Sequence, residues 1–133
     1  MNSEDSKLLI VIQARKGSKR LPGKVMLPLS GKPLLYRMYE RVYAANVPKE
    51  IVIATTTELE DDEVVAICNE FGMKCFRGHE TDLLDRHYNA AINFGAKHIA
   101  KIPSDCPLIC PNVIDRVAEF YFSNRDNYDY VSN

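Results

Sequence analysis

The chain has 133 residues, of which 46% are hydrophobic and 26% charged, a balance typical of one globular domain rather than of a disordered or fibrous chain. Seventeen basic residues stand against eighteen acidic ones, and the formal net charge of -1 excludes broad electrostatic attraction to nucleic acid or to an anionic membrane. No apolar run reaches the length of a membrane span, and the polar start lacks the order of a secretory signal, so we expect a cytoplasmic protein.

Apolar, β-branched runs alternate with stretches of helical periodicity along the whole chain. In chain order the sequence predicts a strand at 8–12, a helix at 33–45, a strand at 51–55, a helix at 61–71, a strand at 74–77, a helix at about 82–94, a strand at 98–102, a helix from about 111 to 124 and a strand at 128–131. This alternation predicts a three-layer, doubly wound α/β domain over residues 1–133 with a mostly parallel sheet. A ligand is then expected beyond the carboxyl ends of the strands.

A basic loop follows the first predicted strand. The segment RKGSKRLPGK, residues 15–24, carries five basic side chains, two glycines, one serine and no acid. Such a loop can bind phosphates, because glycines let the backbone approach an anion while Arg and Lys neutralise its charge. A solvated surface loop is the competing interpretation, and the position directly after a strand favours the phosphate site.

The spacing in this loop excludes two common phosphate motifs. A P-loop has four residues between its first glycine and its Gly-Lys pair, followed by Ser or Thr. Here five residues separate Gly17 from Gly23, and Val25 follows Lys24. A dinucleotide-binding loop needs three spaced glycines, and this loop has two.

A long ordered set of motifs is similar to one known family. The opening IQARKGSKRLPGKVMLPLSGKPLL is followed by IVIATTT, DDEVV, FRG, LLDRHYNAA, SDCPLI and YDYVSN. Together they resemble the cytidylyltransferase family of acylneuraminate and 3-deoxy-manno-octulosonate enzymes, and most closely the branch of spore coat polysaccharide biosynthesis protein SpsF. The resemblance implies a nucleotide-diphospho-sugar transferase-like fold, and we expect the chain to be the amino-terminal part of a longer family domain.

The resemblance also implies a nucleotide site at the ends of the strands. The residues that it assigns to the nucleotide are Gln13, Ala14, Arg15, Ser18, Arg20, Lys24 and Arg77. Arg15 and Lys24 are the expected catalytic residues, because fixed cations stabilise the charge that develops during phosphoryl displacement. An exposed arginine in a turn is an equally good interpretation of Arg77.

Asp105 is the expected metal ligand. It follows the strand predicted at 98–102, and Mg²⁺ takes one or two carboxylates together with phosphate oxygens and waters. From the residues alone, a turn aspartate ahead of Pro107 is the preferred interpretation. The resemblance reverses that preference, because the family places its metal-binding aspartate here in a G-D-x-P pattern. This chain has Ser104 in place of that glycine.

The resemblance therefore implies a Mg²⁺-dependent transfer of CMP from CTP to an acidic or modified sugar for surface polysaccharide, with release of pyrophosphate. CTP and a sugar acceptor are the expected partners, a homodimer fits the family, and neither nucleic acid nor membrane is expected. A non-catalytic nucleotide-binding module is the alternative. A transferase using a preformed nucleotide sugar is less favoured, because such enzymes generally rely on a D-x-D motif and Ser104-Asp105-Cys106 supplies one acid.

Overall fold

The computed structural model describes residues 7–17 and 20–133. Strands and helices alternate along it. In chain order the elements are β1 (Leu8–Gln13), β2 (Pro28–Leu29), β3 (Lys32–Pro33), α1 (Leu34–Tyr43), β4 (Lys49–Thr56), α2 (Asp62–Phe71), β5 (Lys74–Gly78), α3 (Leu83–Asn93), β6 (Ile99–Pro103) and α4 (Pro111–Ser123). Short 3-10 turns at Lys24–Met26 and Leu59–Asp61 precede β2 and α2, respectively.

Four of the strands form a parallel sheet in the order β5-β4-β1-β6. The first strand therefore lies inside the sheet, where Ile10 pairs with Ile51 of β4 and Ile12 pairs with Ile102 of β6. Each crossover between parallel strands contains a helix, which is the connection that parallel pairing requires. The predicted doubly wound α/β architecture is confirmed.

The side chains of β1 alternate between two cores, as the pleat of a strand dictates. Ile10 and Ile12 face a large core that includes residues of α1, α2 and α4. Leu9 and Val11 face a smaller core on the opposite side, which α3 covers. The sheet thus has helices on both faces, and LLIVI is apolar throughout because both faces of β1 are buried.

The helix ends follow from local sequence. Asp82 caps α3, since its carboxylate accepts a hydrogen bond from the Asp85 N–H at 2.9 Å. Gly72 follows α2 with a φ of 69°, a conformation that glycine adopts without a side-chain clash, and the helix stops there as predicted. Within the described residues, no helix combines the length and apolar character needed to cross a bilayer.

The strand predicted at 128–131 is wrong. The structure has no regular element there, and Tyr130 is 82% exposed. Tyr128 instead continues the turn after α4: its N–H donates to the Asn124 carbonyl at 2.9 Å and its ring stacks on Phe120. A β-rich composition produces a strand only where a neighbouring strand supplies hydrogen bonds, and within the described residues no strand pairs with this segment.

The β2–β3 hairpin was not predicted. Ser30 and Gly31 form its turn with φ angles of 52° and 84°, a geometry typical of two-residue hairpins. In the sequence, the Ser-Gly pair between Leu29 and Lys32 indicates such a turn. Each strand, however, is too short to show an alternating pattern of apolar and polar residues.

Because His87 on α3 is buried, we expect the stability of the fold to decrease at acidic pH. His87 is 5% exposed, its Nδ1 lies 2.7 Å from the Leu83 carbonyl oxygen, and burial lowers its pKa below the ordinary value of 6.5. The unfolded chain therefore binds more protons at acidic pH, so His87 costs no stability above pH 6.5, and the free energy of unfolding decreases as the pH falls from 6.5 toward the lower pKa of the folded state. Urea unfolding at pH 7.5, 6.5 and 5.5 should show a falling midpoint that His87→Leu flattens; an equal slope in both proteins would contradict this assignment.

Candidate functional site

A cavity of about 520 Å³ lies at the carboxyl ends of β1 and β6. It is lined by Gln13, Ala14, Arg15, Arg20, Lys24, Val25, Glu80, Thr81, Leu83, Arg86, Pro103, Ser104 and Asp105. Two parallel neighbours end here, so the loops that follow β1 and β6 face each other across the cavity. The structure therefore brings together six of the predicted site residues, and their roles in nucleotide or metal binding stay a prediction: Gln13, Ala14, Arg15, Arg20, Lys24 and Asp105.

The cavity is rich in cations that have no carboxylate partner among the described residues. Its lining contains four basic side chains and two acidic ones: Arg15, Arg20, Lys24 and Arg86, and Glu80 and Asp105. Within residues 7–17 and 20–133, no salt bridge involves any of these four basic side chains. By contrast, salt bridges hold the basic side chains of Lys7, Lys16, Arg37, Lys74 and Arg77. The cavity is therefore suited to a ligand with several negative charges.

Backbone hydrogen bonds hold the two ends of the basic loop together. Where the loop leaves the sheet, the Ala14 N–H donates to the Ala54 carbonyl at 2.9 Å. Where the loop closes, the Gly23 N–H donates to the Lys16 carbonyl at 2.8 Å. Gly23 has a φ of 72°, which a residue with a Cβ adopts at a cost. Ser18 lies outside the described residues, so its assignment to the nucleotide stays a prediction.

Lys24 is placed by the residue that follows it. A 3-10 turn begins at Lys24, and Val25 within this turn is buried in the main core at 2% exposure. The Lys24 N–H also donates to the Leu21 carbonyl at 3.1 Å. The backbone of Lys24 is thus anchored while its side chain lines the cavity beside the loop after β6.

Arg86 is a cavity residue that sequence analysis missed. It is 1% exposed, and its guanidinium donates to the carbonyls of His79 and Glu80 at 2.9 and 2.7 Å. Burial lowers its pKa, and the neighbouring charge of Arg15 lowers it further. The sequence feature that could have revealed its burial is its position in the helix, four residues before Ala90 on the buried side of α3. Arg86 fixes the segment before α3 that forms one wall of the cavity.

Asp105 lies directly beyond β6, in the loop that faces the basic loop across the cavity. Its carboxylate is exposed and accepts a hydrogen bond from the Cys106 thiol at 3.4 Å, and this hydrogen bond raises the pKa of Cys106. In the described part of the chain, no group of three or more His, Cys, Asp or Glu residues could hold a metal on its own. A metal bound here would therefore need oxygen atoms from its ligand or from water.

Arg77 is not part of this cavity. Its guanidinium donates to the carbonyls of Thr56 and Glu58 at 2.8 and 2.7 Å and forms a 2.6 Å ion pair with Asp62. These contacts tie the end of β4 to the start of α2, and Arg77 lines a separate open depression beside α3. A direct contact between Arg77 and a nucleotide stays a prediction.

Comparisons of the sequence and of the structure with known proteins identify relatives of this chain. A family model described as cytidylyltransferase matches residues 9–133. The spore coat polysaccharide biosynthesis protein SpsF of Bacillus subtilis is 33% identical over 130 residues, covering 95% of this chain and 54% of SpsF. A solved cytidylyltransferase from Leptospira borgpetersenii shares 36% identity and a TM-score of 0.84, covering 89% of this chain and 50% of that one.

A CMP-2-keto-3-deoxy-manno-octonic acid synthetase solved in complex with CTP shares 30% identity and a TM-score of 0.79, covering 91% of this chain and 48% of that one. The chain spans about half the length of these relatives. The family match nevertheless takes in β1 from Leu9 onward, the basic loop, every later strand and helix, and Asp105. The chain therefore belongs to the cytidylyltransferase family.

Proposed function

We propose that this chain binds CTP in the cavity between the basic loop and the end of β6. It would supply the nucleotide-binding part of an enzyme that transfers CMP to an acidic or modified sugar in surface polysaccharide biosynthesis. The observation that carries the proposal is the set of cavity cations without carboxylate partners among the described residues. The names of the relatives support the nucleotide and the sugar.

The proposed reaction is an in-line displacement at the α-phosphorus of CTP. A sugar hydroxyl oxygen forms a bond to this phosphorus and gives up its proton to water, the bond to the bridging oxygen of the β-phosphate breaks, and pyrophosphate leaves with the electron pair. Negative charge grows on the phosphate oxygens and on the leaving group. Arg15 and Lys24 would lower this barrier because their charges are in place before the reaction begins.

Mg²⁺ is the proposed cofactor, and Asp105 would hold it. The donor set fits, because an exposed carboxylate in a cation-lined cavity can share a Mg²⁺ ion with phosphate oxygens and waters. When bound, the ion would neutralise phosphate charge and orient the triphosphate. Asp105 would then set the position of the phosphates relative to Arg15 and Lys24.

A second candidate is a nucleotide-binding module without catalytic activity. It is the alternative that the sequence left open, and the chain spans about half the length of these relatives. Both candidates require CTP binding, and they differ in turnover.

Isothermal titration of the chain with CTP and Mg²⁺, followed by a pyrophosphate-release assay with sugar acids and amino sugars, tests both candidates. We expect saturable CTP binding that survives Arg37→Ala, since Arg37 lies outside the cavity and pairs with Glu40. Binding with pyrophosphate release supports the enzyme, and binding at background release supports the module. Absence of CTP binding would overturn both.

A further inference from the structure

Asp61 is a buried carboxylate outside the cavity. It is 1% exposed and ends the 3-10 turn before α2, and no ion pair involves it in the described part of the chain. Burying an unpaired carboxylate is costly unless hydrogen bonds compensate for the lost hydration. We infer that Asp61 is a positioning residue that orders the CTP-binding loop, an inference that rests on the proposed function.

Both carboxylate oxygens of Asp61 are used. Oδ1 accepts a hydrogen bond from the backbone N–H of Lys16 at 2.7 Å. Oδ2 accepts one from the hydroxyl of Thr56, at the end of β4. The same Thr56 oxygen accepts from the Glu58 N–H at 3.1 Å, which orients the hydroxyl. Asp61 therefore joins the loop after β1 to the end of the neighbouring strand.

The backbone of Lys16 carries this constraint to both ends of the loop. Its N–H is bound by Asp61, and its carbonyl accepts the Gly23 N–H at 2.8 Å. Arg15 immediately precedes Lys16, and Lys24 immediately follows Gly23. A single carboxylate thus fixes the backbone beside Arg15 and Lys24, the two cations that are proposed to lower the reaction barrier.

Arg77 supports the segment that carries Asp61. Its bonds to the carbonyls of Thr56 and Glu58 fix the chain between β4 and the 3-10 turn. The resulting path runs from β5 through this segment to Asp61 and on to Lys16. Through this path Asp61, which does not line the cavity, can control the positions of the cations that do line it.

The variants Asp61→Asn and Asp61→Glu separate geometry from charge. Asparagine keeps an acceptor for the Lys16 N–H and removes the charge, whereas glutamate keeps the charge and displaces the acceptor by one methylene. We expect CTP affinity within about threefold of wild type for Asp61→Asn and a loss of about tenfold or more for Asp61→Glu. In an Arg15→Ala background the effect of Asp61→Glu should shrink, because a cation that Asp61 positions is absent.

Glu63→Ala is the matched control. Glu63 contacts the same lysine through its side chain, with Nζ and Oε1 3.0 Å apart, and leaves the backbone hydrogen bond intact. Its removal should change CTP affinity by less than about twofold. Three results would overturn the inference. They are equal CTP affinities for Asp61→Asn and Asp61→Glu, a larger loss of affinity for Asp61→Asn than for Asp61→Glu, and a loss for Glu63→Ala as large as that for Asp61→Glu.

Hydrogen exchange at the Lys16 amide gives a readout that does not depend on CTP. We expect this amide to be protected in wild type and Asp61→Asn and to exchange at least about tenfold faster in Asp61→Glu, since its acceptor is displaced. If wild type binds no CTP, the proposed function fails while this comparison still decides the role of Asp61. Unchanged protection in Asp61→Glu would overturn that role even if CTP binds.

Discussion

Replacing Lys24 with alanine is expected to weaken CTP binding about 10- to 100-fold, the range for a lost charge-assisted hydrogen bond to phosphate. Lys24 lines the cavity and forms no salt bridge within residues 7–17 and 20–133, so its charge is available to a ligand. Its backbone is anchored by the burial of Val25, which alanine at position 24 leaves unchanged. Titration of CTP into the variant, with circular dichroism as a fold check, measures the effect.

Lys32→Ala is the control for this prediction. Lys32 lies outside the cavity with its Nζ 4.9 Å from the centre of the Tyr36 ring, and its removal changes the net charge equally. We expect it to bind CTP as wild type does. Equal losses in the two variants would show that overall charge, rather than the cavity, attracts the nucleotide. Loss of the fold in Lys24→Ala would contradict the assignment of this side chain to ligand binding.

Replacing Asp105 with alanine is expected to abolish the contribution of Mg²⁺ to CTP binding and, if the chain turns over, to abolish turnover. The carboxylate is exposed on the wall opposite the basic loop, and its one described hydrogen bond is with the Cys106 thiol. Without Mg²⁺, the variant should bind CTP at least as tightly as wild type, because a negative charge near the phosphates has been removed. Titrations with Mg²⁺ and with EDTA measure both effects.

Glu80→Gln is the matched control, because it removes the other acid of the cavity from a different wall. The Mg²⁺ dependence of CTP binding should persist in this variant. An Asp105→Ala protein that retains the full effect of Mg²⁺ would refute Asp105 as the ligand. Loss of the Mg²⁺ effect in Glu80→Gln alone would move the metal site to the segment before α3.

The strands that build the core were predictable because their sequence is constrained on both faces. β1 and β4 are buried on both sides, so they read as continuous apolar runs, and Gly72 ends α2 where predicted. The strand predicted at 128–131 had no comparable constraint. Its tyrosines favour β-structure, but in the structure the segment is exposed and follows α4 as a turn.

By itself, the sequence determined the alternation of elements, the family, and the loops that carry Arg15, Lys24 and Asp105, because apolar periodicity and motif spacing are local properties. Only the tertiary structure decided which side chains meet. It placed Arg77 in contacts with the β4–α2 connection, brought Arg86 into the cavity and buried Asp61 under the loop. The roles of Arg77 and Asp61 depend on contacts between residues far apart in the chain, such as Asp61 with Lys16, and local spacing carries no information about such contacts.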